Sequence, residues 1–206
     1  MAFSADGRLL ASSGSGGDED VTLSVWDVAS GIQRASLSGH KGKWGVWALA
    51  FSPDGRLLAS GGLDGVRLWD LINGTQRASL GGREDSTGTL AFSPDGRLLA
   101  CGGFHRVRIW DPATVAERFR LETGDDGSVQ ALAFSPDGRI LASADNRIVR
   151  LWDLTGGAER SNRSAPHDVP SGMSTQPTEP SWLVRVGEAA TTDAASPDRL
   201  VSFRGN

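Results

Sequence analysis

Tyrosine is absent from the 206 residues, and cysteine occurs once, at Cys101. A lone cysteine makes no intramolecular disulfide, so nothing in the chain demands an oxidising compartment. Lysine is confined to Lys41 and Lys43, and arginine supplies the rest of the 21 basic residues. That usage fits a bacterial genome rich in G and C and says nothing of function. An excess of positive charge is also lacking: 25 acids leave a formal net charge of -4. Such a balance gives no electrostatic basis for holding nucleic acid or an acidic membrane surface. No apolar run approaches the ~18 residues a membrane helix needs, and no basic segment followed by an apolar one opens the chain. The expectation is a cytoplasmic chain with neither a membrane nor a nucleic-acid partner.

What the chain has in quantity is glycine, with 27 residues, and repetition. The stretch 49–70, LAFSPDGRLLASGGLDGVRLWD, recurs at 90–111 as LAFSPDGRLLACGGFHRVRIWD and at 132–153 as LAFSPDGRILASADNRIVRLWD. A fourth copy with five extra residues opens the chain over 1–27. Trp26, Trp69, Trp110 and Trp152, each followed by Asp, stand 43, 41 and 42 residues apart. A period near forty closed by Trp-Asp is the mark of a repeat architecture.

Within the second copy, residues 48–52, 56–61 and 66–70 are apolar-rich runs of strand length split by turn signals. Ser52-Pro53-Asp54-Gly55 is a hairpin turn with a mechanism: proline presets φ, Asp suits the third place, and Gly takes the fourth at little steric cost. It recurs at 93–96 and 135–138, and Ala5 replaces the proline in the first copy. Fourth strands follow at 32–37, 75–80 and 115–121, so four short antiparallel strands fill one period. Leu57 and Leu58 are neighbours and point to opposite faces, as do Leu68 and Trp69. A sheet apolar on both faces needs a cover on each side, which a stack of similar sheets supplies.

On these residues the chain resembles the WD-repeat β-propeller family over about residues 2–154. The resemblance implies an all-β fold: a partial β-propeller of four blades, each a four-stranded antiparallel sheet, at about 1–38, 45–81, 87–122 and 129–154. It implies that Trp26, Trp69, Trp110 and Trp152 are structural and fill the gaps between blades. It also implies a buried polar network of His, Ser or Thr, Asp and Trp, for which one blade offers all four types: His40, Ser60, Asp64 and Trp69. The turn that carries Asp64 is a residue shorter than usual, which leaves the place of Asp64 open. The next blade has Cys101 where Ser60 stands, Gly82-Arg83 where a Gly-His pair would fall, and His105 in its turn. The fourth has Ser143 with Asp145 or Asn146 and no histidine upstream, and the first has Ser12 and Asp20.

The innermost strand of the first copy is cut short by Met1, which suggests an upstream-extended blade, so a possible fragment of a larger protein. After Asp153, residues 155–181 hold four of the nine prolines and few apolar residues, and are expected to form a disordered linker. Residues 182–206 form a tail, in which 196–202 faintly echo the repeat and suggest a degenerate fifth blade. Four blades sit at the low limit for closing a ring. Two copies closing one eight-bladed ring through exposed terminal blades is therefore an open alternative to a monomer.

No catalytic constellation is visible. His40, His105 and His167 occupy non-equivalent places, and Asp54, Asp95, Asp137, Asp125 and Asp126 are expected to serve turns. The acidic insertion at 16–20 reads as a solvated loop, Cys101 as a small apolar strand residue. Glycine-rich 14–17 lacks the ending of a phosphate loop. The expectation is no enzyme, no cofactor and no metal. The family's partners meet the face formed by loops entering the first strand and loops between second and third strands. By that resemblance the protein-binding residues are Trp44, Trp47, Leu63, Phe104, His105 and Gln130, with the two tryptophans as anchors. The expected function is a non-enzymatic scaffold for other proteins. A truncated structural remnant and a propeller hydrolase stay open as alternatives.

Overall fold

The computed structural model describes residues 1–14, 21–41, 45–81, 86–124, 127–146, 148–155 and 158–164, the last as backbone alone. No helix occurs among the described residues. The first sheet is β1 (Ala2–Phe3), β2 (Leu9–Ser13), β3 (Val21–Asp27) and β4 (Gln33–His40), and the second is β5 (Val46–Phe51), β6 (Leu57–Gly62), β7 (Gly65–Asp70) and β8 (Thr75–Leu80). The third is β9 (Thr87–Phe92), β10 (Leu99–Gly103), β11 (Arg106–Asp111) and β12 (Ala116–Glu122), and the fourth is β13 (Ala131–Phe134), β14 (Ile140–Ala144), β15 (Ile148–Asp153) and β16 (Ala158–Ser164). Each is an antiparallel meander in chain order. All four lie within Met1–Ala165.

The Ser-Pro-Asp-Gly segments set the first hairpin of each sheet. The Ser52 hydroxyl donates to Asp54 Oδ1 at 2.6 Å, and the Leu57 N–H donates back to Ser52 Oγ at 2.9 Å. The Gly55 N–H closes the turn on the Ser52 carbonyl at 2.9 Å, and Gly55 takes φ 69°, where glycine carries no Cβ penalty. Ser4, Ser93 and Ser135 repeat these bonds, so Ala5 in place of proline leaves the turn intact.

A second device sits at each tryptophan. The pairing of third and fourth strands slips between Val25 and Trp26, Leu68 and Trp69, Ile109 and Trp110, and Leu151 and Trp152. Such a bulge twists the strand locally and re-aims the side chain it carries.

Packing is between consecutive sheets. Ala11, Leu23, Val25 and Leu37 of the first sheet share a core with Leu58 and Trp69 of the second. Ala59, Val66, Leu68 and Leu80 do the same with Leu99 and Cys101 of the third, with Trp110 against them. Ala100, Val107, Ile109 and Leu121 meet Val129, Leu132, Leu141 and Trp152 at the fourth. Each fully buried leucine contributes about 1.5–3 kcal/mol. In the second and third sheets the apolar residues on both faces are thus each covered by a neighbouring sheet.

Strand β16 corrects the expected linker, since Ala158–Ser164 pairs with β15 from Ile148↔Ser164 to Asp153↔Ala158. Low apolarity argued for disorder there, but an outer edge strand is itself polar: β8, TQRASL, is exposed at most positions. Residues 158–160, Ala-Glu-Arg, also repeat Ala116-Glu117-Arg118 of β12. The remainder of the expected linker from 165 on, and the tail with its suggested fifth blade, lie outside the described residues.

Candidate functional site

The expected polar network forms in the second sheet. Trp69 Nε1 donates to Ser60 Oγ at 2.7 Å, Ser60 Oγ lies 2.7 Å from His40 Nε2, and His40 Nδ1 lies 2.5 Å from Asp64 Oδ1. His40 arrives from the end of β4, so this chain of bonds ties the first sheet to the second. The short turn does not displace Asp64. Its Oδ2 accepts from the Lys41 N–H at 3.0 Å and from Arg67 Nη2 at 2.9 Å. Burial pushes the His40 ring below its ordinary pKa despite the pull of Asp64, so the ring is neutral. Burial acts to raise the Asp64 carboxyl, but bonds from His40, Lys41 and Arg67 outweigh it and hold the group low.

Arginine is the member that the sequence reading did not single out. Arg67, Arg108 and Arg150 stand two places before the tryptophan in three sheets, and each finds a different carboxylate. Arg67 reaches Asp64, Arg108 bonds Glu117 of β12, and Arg150 reaches Asp145 at 2.8 Å. Arg108 also stacks 4.6 Å from the centre of the Trp110 ring. The signal was available: one charged residue recurring at the same place in a strand that is otherwise apolar on both faces. In the fourth sheet Ser143 accepts from Trp152 at 2.8 Å, and in the first Ser12 accepts from Trp26 at 3.1 Å.

At the end of the sheets where the innermost strands begin, the expected recognition residues come to the surface. Trp47 is 48% exposed and sits at the register slip between Val46 and Ala48, a bulge that turns it outward. Gly88, at the equivalent slip in β9, and Gln130, just before β13, are exposed as well. Leu63, in the β6–β7 turn beside it, is 37% exposed, and Phe104, in the β10–β11 turn, is 56% exposed. His105 is exposed with φ 62°, a left-handed conformation rare for a residue with a side chain. Its N–H donates to the Gly127 carbonyl at 3.2 Å and its own carbonyl accepts from the Thr123 N–H at 2.8 Å. The strained turn is therefore tied to the connection that leads into the fourth sheet. Trp44, Gly82-Arg83, the acidic residues at 18–20, Asp125, Asp126 and His167 lie outside the described residues.

The turn acids do the work expected of them. Serine hydroxyls, then backbone N–H groups, hold Asp54, Asp95 and Asp137 below the usual carboxylate pKa. Trp69 and Trp152 are buried in the gaps before their sheets, and Trp110 is half-buried in its gap. Trp26 is half-buried on a face that no preceding sheet covers among the described residues. No group of three His, Cys, Asp or Glu side chains among the described residues is placed to share a metal ion.

Four-stranded antiparallel meanders joined face to face, each with its tryptophan on a bulge, are blades of a β-propeller. The sequence model of the WD40 family, described as WD domain, G-beta repeat, matches residues 31–70, 74–111 and 118–153, more than half of the chain. The chain belongs to the WD40 repeat family. No curated protein sequence matches it. Among solved structures it is similar to one described as Kuenenia stuttgartiensis Hydrazine Synthase, with a TM-score of 0.67 at 20% identity. That match covers 79% of this chain and 47% of the other, so the chain spans about half the length of its structural neighbour.

Proposed function

We propose that the chain is a non-enzymatic scaffold for other proteins, gripping a partner at the loop end of its second and third sheets. The carrying observation is the exposure of Trp47, Leu63 and Phe104 at one end of two packed sheets. Large apolar side chains on a rigid support anchor interfaces because they bury much area at little entropic cost. WD40 repeats in general mediate protein–protein contacts, and this face is where these blades offer apolar surface. Self-association through the terminal sheets is a second part of the proposal.

The test is capture of protein partners on immobilised wild-type chain and on the Trp47→Ala/Phe104→Ala variant. Partners lost from the variant, at an unchanged thermal midpoint, support the reading. Undiminished capture overturns it, and a collapsed midpoint reassigns the two side chains to the core.

A further inference from the structure

The joint between consecutive sheets is built three times from the same two half-faces, and among the described residues one copy of each half is left without a covering sheet. The covered half is a row of register partners: Phe51–Leu58–Trp69, Phe92–Leu99–Trp110 and Phe134–Leu141–Trp152. Leu58, Leu99 and Leu141 are each 0% exposed. The covering half is Ala2–Ala11–Val25, Ala50–Ala59–Leu68 or Ala91–Ala100–Ile109 of the preceding sheet.

In the first sheet the covered-type row is Phe3–Leu10–Trp26, with Phe3 63% exposed and the other two half-buried. In the fourth the covering-type row is Ala133–Ala142–Leu151, half-buried throughout. A Cβ placed on Gly96 would lie 3.5 Å from Pro53, and one on Gly138 would lie 3.8 Å from Pro94, so each turn seats on the proline before it. Gly7 and Gly55 have nothing within 4 Å of that position, and Pro53, Pro94 and Pro136 are all exposed, so the open faces are marked by the strand rows and not by the turns. The fourth sheet departs from the others on its outermost strand, where Ser161 and Arg163 hold the register places of Ala78 and Leu80, so the match rests on three strands. No apolar cluster joins the fourth sheet to the first among the described residues.

We propose that the open halves cover each other between two copies of this chain, head to tail. The Ala133–Ala142–Leu151 face of one copy seats on the Phe3–Leu10–Trp26 face of the other, at two equivalent joints. This deepens the self-association part of the scaffold reading. Two copies place the eight sheets of their described residues in one closed ring, within the common range of about four to eight blades, and three copies would exceed it. A heterologous joint of this kind closes only if the rotation per sheet fits, and otherwise propagates as a filament.

Light scattering on the full chain gives the answer. The wild type should show twice 21.7 kDa at micromolar concentration. Phe3→Glu and Val149→Glu, the second at the register place of Val66 and on the same face as Leu151, should each give the single mass. Mixing them should restore the doubled mass, because one joint of the mixed pair keeps both faces intact. Circular dichroism checks the fold, and Ala142→Glu replaces Val149→Glu if that variant unfolds. A monomeric wild type overturns the proposal. So does a Val149→Glu variant that still pairs, which would mean that the two first sheets meet each other, or a mass that grows without limit. Partner capture at the loop end is a separate readout, so its failure and the failure of pairing are distinguishable.

Discussion

Serine-to-alanine substitution at three equivalent places, Ser60, Ser143 and Ser12, should destabilise by three different amounts. The carboxylate of Asp64 requires the proton of His40 on Nδ1, which leaves Nε2 as an acceptor for the Ser60 hydroxyl, while Ser60 Oγ accepts from Trp69. Ser60→Ala strands a buried indole N–H and a buried ring nitrogen together, at a cost of about 2–4 kcal/mol. Ser143→Ala strands the Trp152 N–H, at about 1–2 kcal/mol. Ser12→Ala, made in the unpaired Phe3→Glu chain, affects a Trp26 that is half-buried there, at under about 1 kcal/mol.

Urea unfolding followed by tryptophan fluorescence measures the series. With a slope near 2 kcal/mol per molar urea, the Ser60→Ala midpoint should fall by about 1–2 M. In a His40→Leu background, Ser60→Ala should cost no more than Ser143→Ala does in the wild type, because only the indole is then left unpaired. Equal shifts at Ser60 and Ser143, or no coupling between Ser60 and His40, would refute the bonding order deduced for the network. A change in slope would instead report sheets that unfold one by one.

Acid should weaken the fold in two windows. Burial holds His40 below its ordinary 6.5, so the stability it confers is fully present above pH 6.5 and is lost as pH falls toward the folded value; His40→Gln should flatten the thermal midpoint across that range. Asp54, Asp95 and Asp137 are held below 3.8, chiefly by their serine hydroxyls, so their share is lost only under 3.8, in both proteins. Asp145→Asn breaks an ion pair whose side chains are each 7% exposed and should cost about 3–5 kcal/mol by urea unfolding. The Asp145→Leu/Arg150→Met pair should cost less, because no charge is left buried alone. Gly102→Ala drives a methyl to 2.6 Å from Thr89 and 2.8 Å from Val129 and should cost about 1–3 kcal/mol, whereas Gly88→Ala, with open space around it, should stay within about 0.5.

Turns and strands were legible because their causes are local. Ser52 to Gly55 carries its own bonding partners, and Leu57-Leu58 needs no tertiary knowledge to assign two faces. The place of Asp64 was not legible, since it depends on the Lys41 N–H just past β4 and on Arg67 of β7 to hold the carboxylate at the end of a short turn. Strand β16 was missed because an outer strand buries little and so shares its composition with a linker. The exposure of Trp47 followed from a one-residue slip of β5 against β6, and a slip of that size leaves no trace in composition.

The polar part of each blade varies more than the apolar rows of its three inner strands, and the arginines explain why that is tolerated. The third and fourth blades lack the histidine of the second, yet Arg108 and Arg150 still meet carboxylates, from Glu117 on a strand and from Asp145 in a turn. The arginine place faces the preceding sheet, where a buried cation must be matched, and any carboxylate within reach meets that need. In the first sheet the same place is Ser24, opposite Ser12. An unmatched arginine there would tolerate water but resist a covering sheet. Its absence leaves Phe3, Leu10 and Trp26 as a face whose chemistry suits burial, which is why the pairing experiment bears on the first sheet before any other.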